Sequence, residues 1–241
     1  MNPIRWFSRG LLELLVPPCC HFCAVGIFEP RTQFCAACEL ALLGDVAPTC
    51  SRCAATLGPH LAPVTDCSLC RGHSLAFEGV CRLGEYDGKL REAVLMLKDG
   101  WNETLAEVLG RSLAPRIQAA WPGEPLTAVV PIPLHWWRRF RRGYNQSAAI
   151  AHGAAEILGV PVASWLRRRK ATAPQYSLSA TARKENVKDA FEVCSPSVTG
   201  AKILLIDDVL TTGSTCHEAA RCLLAAGADS VKVAVLARAG D

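Results

Sequence analysis

The spacing of apolar and polar residues divides the chain into two unlike parts, with the change near Phe77. Beyond it, alternation begins at Val80, Arg82, Gly84 and Tyr86, which predicts a strand, and Asp87-Gly88 predicts a turn. Leu90 to Lys98 has helical spacing, and a second helix is expected from about Glu103, interrupted or bent near Pro115. Trp121 to Pro125 reads as a loop. Leu126–Val130, Val160–Leu166, Ile203–Ile206 and Val231–Ala237 are short apolar runs, the pattern of strands covered on both faces in a parallel sheet. Helices are expected between them, one from about Asn145 to Leu158 and one through Ala225 that Gly227 ends. The fold expected is α/β, an open parallel sheet with flanking helices.

Before Phe77 the pattern is different. Met1 to Val16 predicts a short amphipathic helix with Ile4, Trp6, Phe7, Leu11, Leu12 and Leu15 as its apolar positions. It would pack on its own protein; contact with a membrane surface is the alternative. The segment 17–76 is then dominated by cysteine, which gives an expected organisation of 1–16, 17–76 and 77–241.

Half of the 241 residues are hydrophobic, enough for a sizeable core. The formal charge of +4 suits an anionic ligand but is too small to argue for nucleic acid. The apolar run Leu11 to Val16 is short, broken by Glu13 and followed by Pro17-Pro18, unlike a secretory signal. No stretch approaches the roughly 18 apolar residues of a membrane span. A cytoplasmic protein is expected, and there clustered cysteines point to metal rather than disulfides.

Ten of the thirteen cysteines fall between Cys19 and Cys81, and eight form four CxxC pairs: Cys20/Cys23, Cys35/Cys38, Cys50/Cys53 and Cys67/Cys70. Two such pairs complete a tetrahedral thiolate site with metal–sulfur distances of about 2.3 Å, so eight cysteines suit two structural zinc ions. The spacers of eleven, eleven and thirteen residues fit sequential or crossed pairing. Sequential pairing closes the shorter loops and is preferred. Cys19 is a spare or a substitute for Cys20. A thiol redox role fits one CxxC pair better than four.

The stretch ILLIDDVLTTGST, Ile203 to Thr215, carries the most specific chemistry. Asp207 and Asp208 are placed where a buried strand ends, the edge at which open α/β sheets bind ligands. Thr211, Thr212, Gly213, Ser214 and Thr215 then offer hydroxyls and backbone N–H groups at a helix start, an anion cradle. The plainer reading is a helix cap. The run Leu126–Val130 delivers Pro131-Ile132-Pro133 to the same edge, followed by Arg138, Arg139, Arg141 and Arg142, guanidiniums suited to phosphate. A solvated basic face, or stacking of single-stranded nucleic acid on the interleaved Trp136, Trp137 and Tyr144, are the alternatives. The polar segment with Gln175, Arg183, Lys184 and Asn186 is either a mobile hood or an ordinary exposed connection.

A hydrophobic strand, paired acids and a T-T-G-S-T turn in this order resemble the phosphoribosyl-pyrophosphate (PRPP) signature of type I phosphoribosyltransferases. With the CxxC pairs, RRGYNQS and the Q-x-x-L-x-x-x-x-R-x-x-N run, the chain resembles the ComF family from Pro17 to Arg238. The resemblance implies a double zinc ribbon ahead of a type I phosphoribosyltransferase-like domain, and a link to DNA uptake in competence. It implies that Asp207 and Asp208 bind the ribose hydroxyls and Thr211–Thr215 the 5-phosphate, with Mg²⁺ accompanying PRPP. Pro131, Ile132 and Pro133, with Arg139 and Arg142, then face pyrophosphate, and Arg183 joins the acids as a catalytic residue. Lys98 stands where the family has a lysine before a glycine-containing turn. The resemblance names no acceptor. The expected function is a transferase acting on PRPP. The alternative is a non-catalytic PRPP sensor, or a module binding single-stranded DNA or competence proteins.

Overall fold

The structure, a computed structural model, describes residues 18–27, 33–45, 47–58, 66–98, 102–134, 143–169 and 188–240. The expected helix over 1–16, the arginine cluster at 138–142 and the hood expected over 172–191, except its last four residues, lie outside these residues.

Four parallel strands form the central sheet: β1 (Val80–Glu85), β2 (Ala128–Pro131), β5 (Lys202–Leu210) and β6 (Ser230–Arg238), in spatial order β1-β6-β5-β2. The strands read as unbroken apolar runs because both faces are covered: Ile203 to Ile206 and Val233 to Ala237 are almost wholly inaccessible to water. On one face lie α2 (Gly88–Met96), α3 (Glu103–Ala120) and α4 (Gln146–Leu158), which bury Leu109, Leu113 and Ile150 against Leu204, Ile206 and Leu236. The other face is covered by α5 (Ser214–Ala225) and a small antiparallel pair, β3 (Leu166–Arg168) with β4 (Phe191–Val193). This is the expected open parallel sheet with flanking helices.

The helices α3 and α4 cross at a point where only glycine fits. A methyl group at Gly153 would lie 1.9 Å from the Glu107 carbonyl oxygen, and one at Gly110 would lie 2.1 Å from that of Ile150. The close crossing fixes α4, whose first turn reaches the end of β5.

Three expectations need correction. The helix α3 runs through Pro115 without interruption, because Pro115 is exposed and water can serve the carbonyl group it leaves unpaired. Val160–Leu166 is not one strand: Val162 makes a single parallel bridge to Val129, and β3 starts only at Leu166. The third correction concerns β5, which continues past the two acids to Leu210, since Asp207, Val209 and Leu210 still pair with β6.

The cysteine-rich part is built as a repeat. Pro18, Cys20, Cys23 and Ala24 recur thirty positions on as Pro48, Cys50, Cys53 and Ala54. The backbone repeats with them: Ala24 N–H donates to the Cys20 carbonyl at 2.9 Å and Ala54 N–H to that of Cys50 at 2.8 Å, while Ile27 and Leu57 N–H each reach the proline carbonyl at 2.8 Å. Both alanines take positive φ, 60° and 56°. The copies then diverge: Cys35 stands at the N-cap of the helix α1 (Ala36–Leu43), whereas Cys67–Cys70 forms a turn closed by Cys70 N–H on the Cys67 carbonyl at 3.2 Å.

Candidate functional site

The acids at the end of β5 are held from α4. Ser147 Oγ donates to Asp207 Oδ1 at 3.0 Å, and Gln146 Nε2 donates to Asp208 Oδ2 at 3.2 Å. Gln146 and Ser147 are buried, and Gln146 Oε1 and Asn145 Oδ1 are buried acceptors that make no hydrogen bond. Burial, with the adjacent Asp208 carboxylate, pushes the Asp207 carboxyl up to about 7. From the other side Lys98 Nζ approaches Asp208 Oδ2 at 3.8 Å while lying over the Tyr86 ring. Tyr144 donates its hydroxyl to the Leu97 carbonyl at 2.8 Å, which joins the lysine's segment to the start of α4.

The strand β2 ends beside this pair, since Pro131 is in register with Ile206 and Ile132 N–H donates to the Ile206 carbonyl at 2.9 Å. Asn145 Nδ2 donates to the Ile132 carbonyl at 3.1 Å. Pro131, Ile132 and Pro133 are thereby brought to the acids. The turn Thr211–Gly213 follows, and α5 begins at Ser214 after Gly213 in the left-handed conformation, φ 75°. Thr212 Oγ1 and Ser214 Oγ share a hydrogen bond of 2.8 Å, so the hydroxyls converge at the helix N-terminus, where the helix dipole favours an anion. The structure thus gathers Asp207, Asp208, Thr211–Thr215 and Pro131–Pro133 at one sheet edge. Arg139, Arg142 and Arg183 fall outside the described residues. The ends of the expected hood are joined by the β3–β4 pair, where Arg169 N–H donates to the Ala190 carbonyl at 2.8 Å.

The eight CxxC cysteines form two quartets, Cys20/Cys23/Cys35/Cys38 and Cys50/Cys53/Cys67/Cys70, so pairing is sequential, and Cys19 belongs to neither. Sulfur–sulfur separations of 3.7 Å (Cys23–Cys35 and Cys50–Cys70), 3.5 Å (Cys53–Cys67) and 3.8 Å (Cys67–Cys70) fit the edge of a tetrahedron. Metal–sulfur bonds of about 2.3 Å give an edge of about 3.8 Å. Burial alone would raise the thiol of Cys20, but N–H groups of Cys23, Cys35 and Phe22 outweigh it and bring it down to about 6. The same opposition in the second quartet brings Cys50 down to about 7. In each quartet the backbone thus favours the thiolate of one cysteine, the form that binds metal.

Relatives were found along nearly the whole chain. It is 34% identical over 229 residues to the DNA utilization protein YhgH of Salmonella typhi, covering 93% of this chain and 99% of the relative. The chain belongs to the ComF family. Other members similar to it are YhgH of Escherichia coli K12 (31% identity over 93% of this chain and 99% of the relative) and competence protein F of Haemophilus influenzae (27%, over 91% and 96%). A family profile described as phosphoribosyl transferase domain matches residues 145–241. Among solved structures, glutamine PRPP amidotransferase from B. subtilis aligns with a TM-score of 0.39 at 21% identity, covering 56% of this chain; the chain spans 26% of that structure's length.

This ComF-family chain therefore carries a phosphoribosyltransferase-like domain behind two metal-capable quartets. The sequence reading missed Gln146 and Ser147 as partners of the acids, treating their segment as part of the basic stretch. Their position at the start of a helix near a strand end was the available signal. Lys98 was noted only as a family position, and the structure sets it beside Asp208.

Proposed function

We propose that this chain binds PRPP with Mg²⁺ at the carboxyl edge of its sheet and transfers the phosphoribosyl group to an acceptor. The observation that carries this reading is the pair Asp207/Asp208, each held by a buried donor of α4, next to a hydroxyl-lined helix N-terminus. In this reading Asp207 and Asp208 hold the ribose 2- and 3-hydroxyls, and Thr211–Thr215 take the 5-phosphate. Pro131–Pro133 form the pyrophosphate-side loop, with Arg139 and Arg142 as its cations and Arg183 as a further catalytic residue. An acceptor nucleophile bonds to C1 of the ribose as the C1–oxygen bond breaks and pyrophosphate leaves with the electron pair. Mg²⁺ supplies neutralisation of the leaving charge, and the acid pair is an oxygen-rich site that suits it. Lys98 adds a positive charge at the same pair. Positioning and fixed electrostatics would account for most of the rate.

Both quartets are proposed to hold zinc in a structural role: four thiolates leave no open position for catalysis. Reduced thiolates suit the cytoplasm. No helix among the described residues is long and apolar enough to cross a membrane. The names of the relatives, DNA utilization and competence proteins, favour a second reading, in which the domain senses PRPP and the chain engages single-stranded DNA or competence proteins.

The test is thermal stability of the wild type and of the Asp207→Asn/Asp208→Asn variant with PRPP and Mg²⁺. At a hundred times its Kd the ligand stabilises the wild type by about 2.7 kcal/mol, and the variant loses this. Absence of any shift in folded wild type rejects PRPP binding. Pyrophosphate release with candidate acceptors then separates the transferase from the sensor.

A further inference from the structure

The two quartets are docked differently. The first packs with Phe34 and Leu42 in the apolar cluster on the α2–α4 face. The second lies along the edge strand β1, with Ser51 accepting from Val80 N–H at 2.9 Å and Ala54 from Arg82, and three contacts tie it to the anion loop. The stretch leaving the quartet supplies the first: Ala76 N–H donates to His217 Nδ1 at 3.0 Å, in the first turn of α5. The second is apolar: Phe77 is buried in one cluster with Leu210 and Cys216, which flank the loop, and Leu75 packs against that cluster. In the third, Arg238 Nε donates to the Cys53 carbonyl at 3.2 Å and the same guanidinium reaches the Leu210 carbonyl at 3.5 Å, one residue before the loop.

The quartet's own end of this linkage is also secured. Arg52, between Cys50 and Cys53, donates to the His73 carbonyl at 3.0 Å and to Asp66 Oδ1 at 3.3 Å, and His73 N–H reaches the Cys70 carbonyl at 3.0 Å. Within the loop Thr212 Oγ1 bonds Ser214 Oγ at 2.8 Å, and the loop's outer support comes from the surface it leans on. Four thiolates closed on one ion would fix the knuckles Cys50–Cys53 and Cys67–Cys70 against each other, since the ion-bound state is the ordered one.

We infer that His217, Phe77 and Arg238 are positioning residues through which the ion-loaded second quartet sets the anion loop, a role the first quartet does not share. The functional meaning of this coupling rests on the phosphoribosyl reading above, but hydrogen exchange measures it without ligand. Backbone exchange is compared in the full-length wild type, Cys35→Ser/Cys38→Ser, Cys67→Ser/Cys70→Ser and His217→Ala, with zinc content measured in each. Loss of the second quartet speeds exchange across 213–220 by about fivefold or more, the scale of one lost hydrogen bond. Loss of the first leaves that segment unchanged. His217→Ala keeps both ions and speeds exchange across 213–220 and 75–77 together, so it decides the matter even where a cysteine variant does not fold. Unchanged exchange in His217→Ala, or equal effects from the two quartets, overturns the inference. A parallel PRPP·Mg²⁺ titration that fails in the wild type counts against the proposed ligand and leaves the exchange result standing.

Discussion

Replacing Gly153 with alanine tests whether the α3–α4 crossing holds the acids. Taken alone, the substitution favours the helix by about 1 kcal/mol. In place, the new methyl would lie 1.9 Å from the Glu107 carbonyl oxygen, 2.7 Å from its carbonyl carbon and 3.0 Å from its Cα. All three are backbone atoms, so no rotamer relieves the clash and the helices must move apart. Overpacking of this kind costs about 3 kcal/mol at the upper end of its usual range. The net loss is then about 2 kcal/mol, a fall in Tm of about 4 to 8 °C for a chain of this size. Because α4 carries Gln146 and Ser147, PRPP-dependent stabilisation should also weaken. Calorimetric unfolding with and without PRPP·Mg²⁺ reads both effects. Gly110→Ala opens the same crossing, so the double variant loses less than the sum. A Gly153→Ala protein as stable as the wild type, with ligand response intact, refutes the reasoning.

Burial and Asp208 raise Asp207 from the ordinary value of 3.8 to about 7. A carboxyl raised in the folded state contributes stability that is full below 3.8 and lost as pH rises through about 7. Denaturant midpoints of wild type should therefore fall relative to those of Asp207→Asn between pH 5 and 7.5, and parallel curves would contradict the shift. Denaturing release with a colorimetric chelator should yield two zinc ions per chain, and one from either double cysteine variant. Arg82 is buried and donates to the Ala54 carbonyl at 3.0 Å, Asp45 at 3.0 Å and Thr56 Oγ1 at 2.8 Å. Arg82→Met should cost about 3 kcal/mol by stranding those acceptors, measured as a shift in urea midpoint.

What the sequence made legible follows from the range of the forces involved. The apolar runs at Ile203 and Val231 mark central strands because burial on both faces acts at every position. CxxC spacing marks ligands because two thiolates on one ion need a tight local turn. The end of β5 was misjudged because Asp207 and Asp208 look like a boundary by polarity, whereas Asp207 still pairs with Val235 and Val209 with Ala237 on the neighbouring strand. Pro115 misled for a similar reason: its cost depends on which side of α3 meets water, a property of packing. The partnership of Gln146 with Asp208 joins residues 62 positions apart, and no local pattern encodes it.

The thirty-residue recurrence of the cysteine knuckles has a consequence for how such a chain changes. Each copy closes its first knuckle on its own backbone and contributes its own quartet, while the second copy is also bonded to the sheet, where Ser51 accepts from Val80 N–H at 2.9 Å. The thirty-residue unit is thus the natural step of gain or loss ahead of the sheet, with the second copy held in place by its bonds to β1 and β6. Within a copy the first knuckle is constrained by its alanine turn. The second knuckle, at the start of a helix in one copy and in a hydrogen-bonded turn in the other, is where the same part can acquire two different uses.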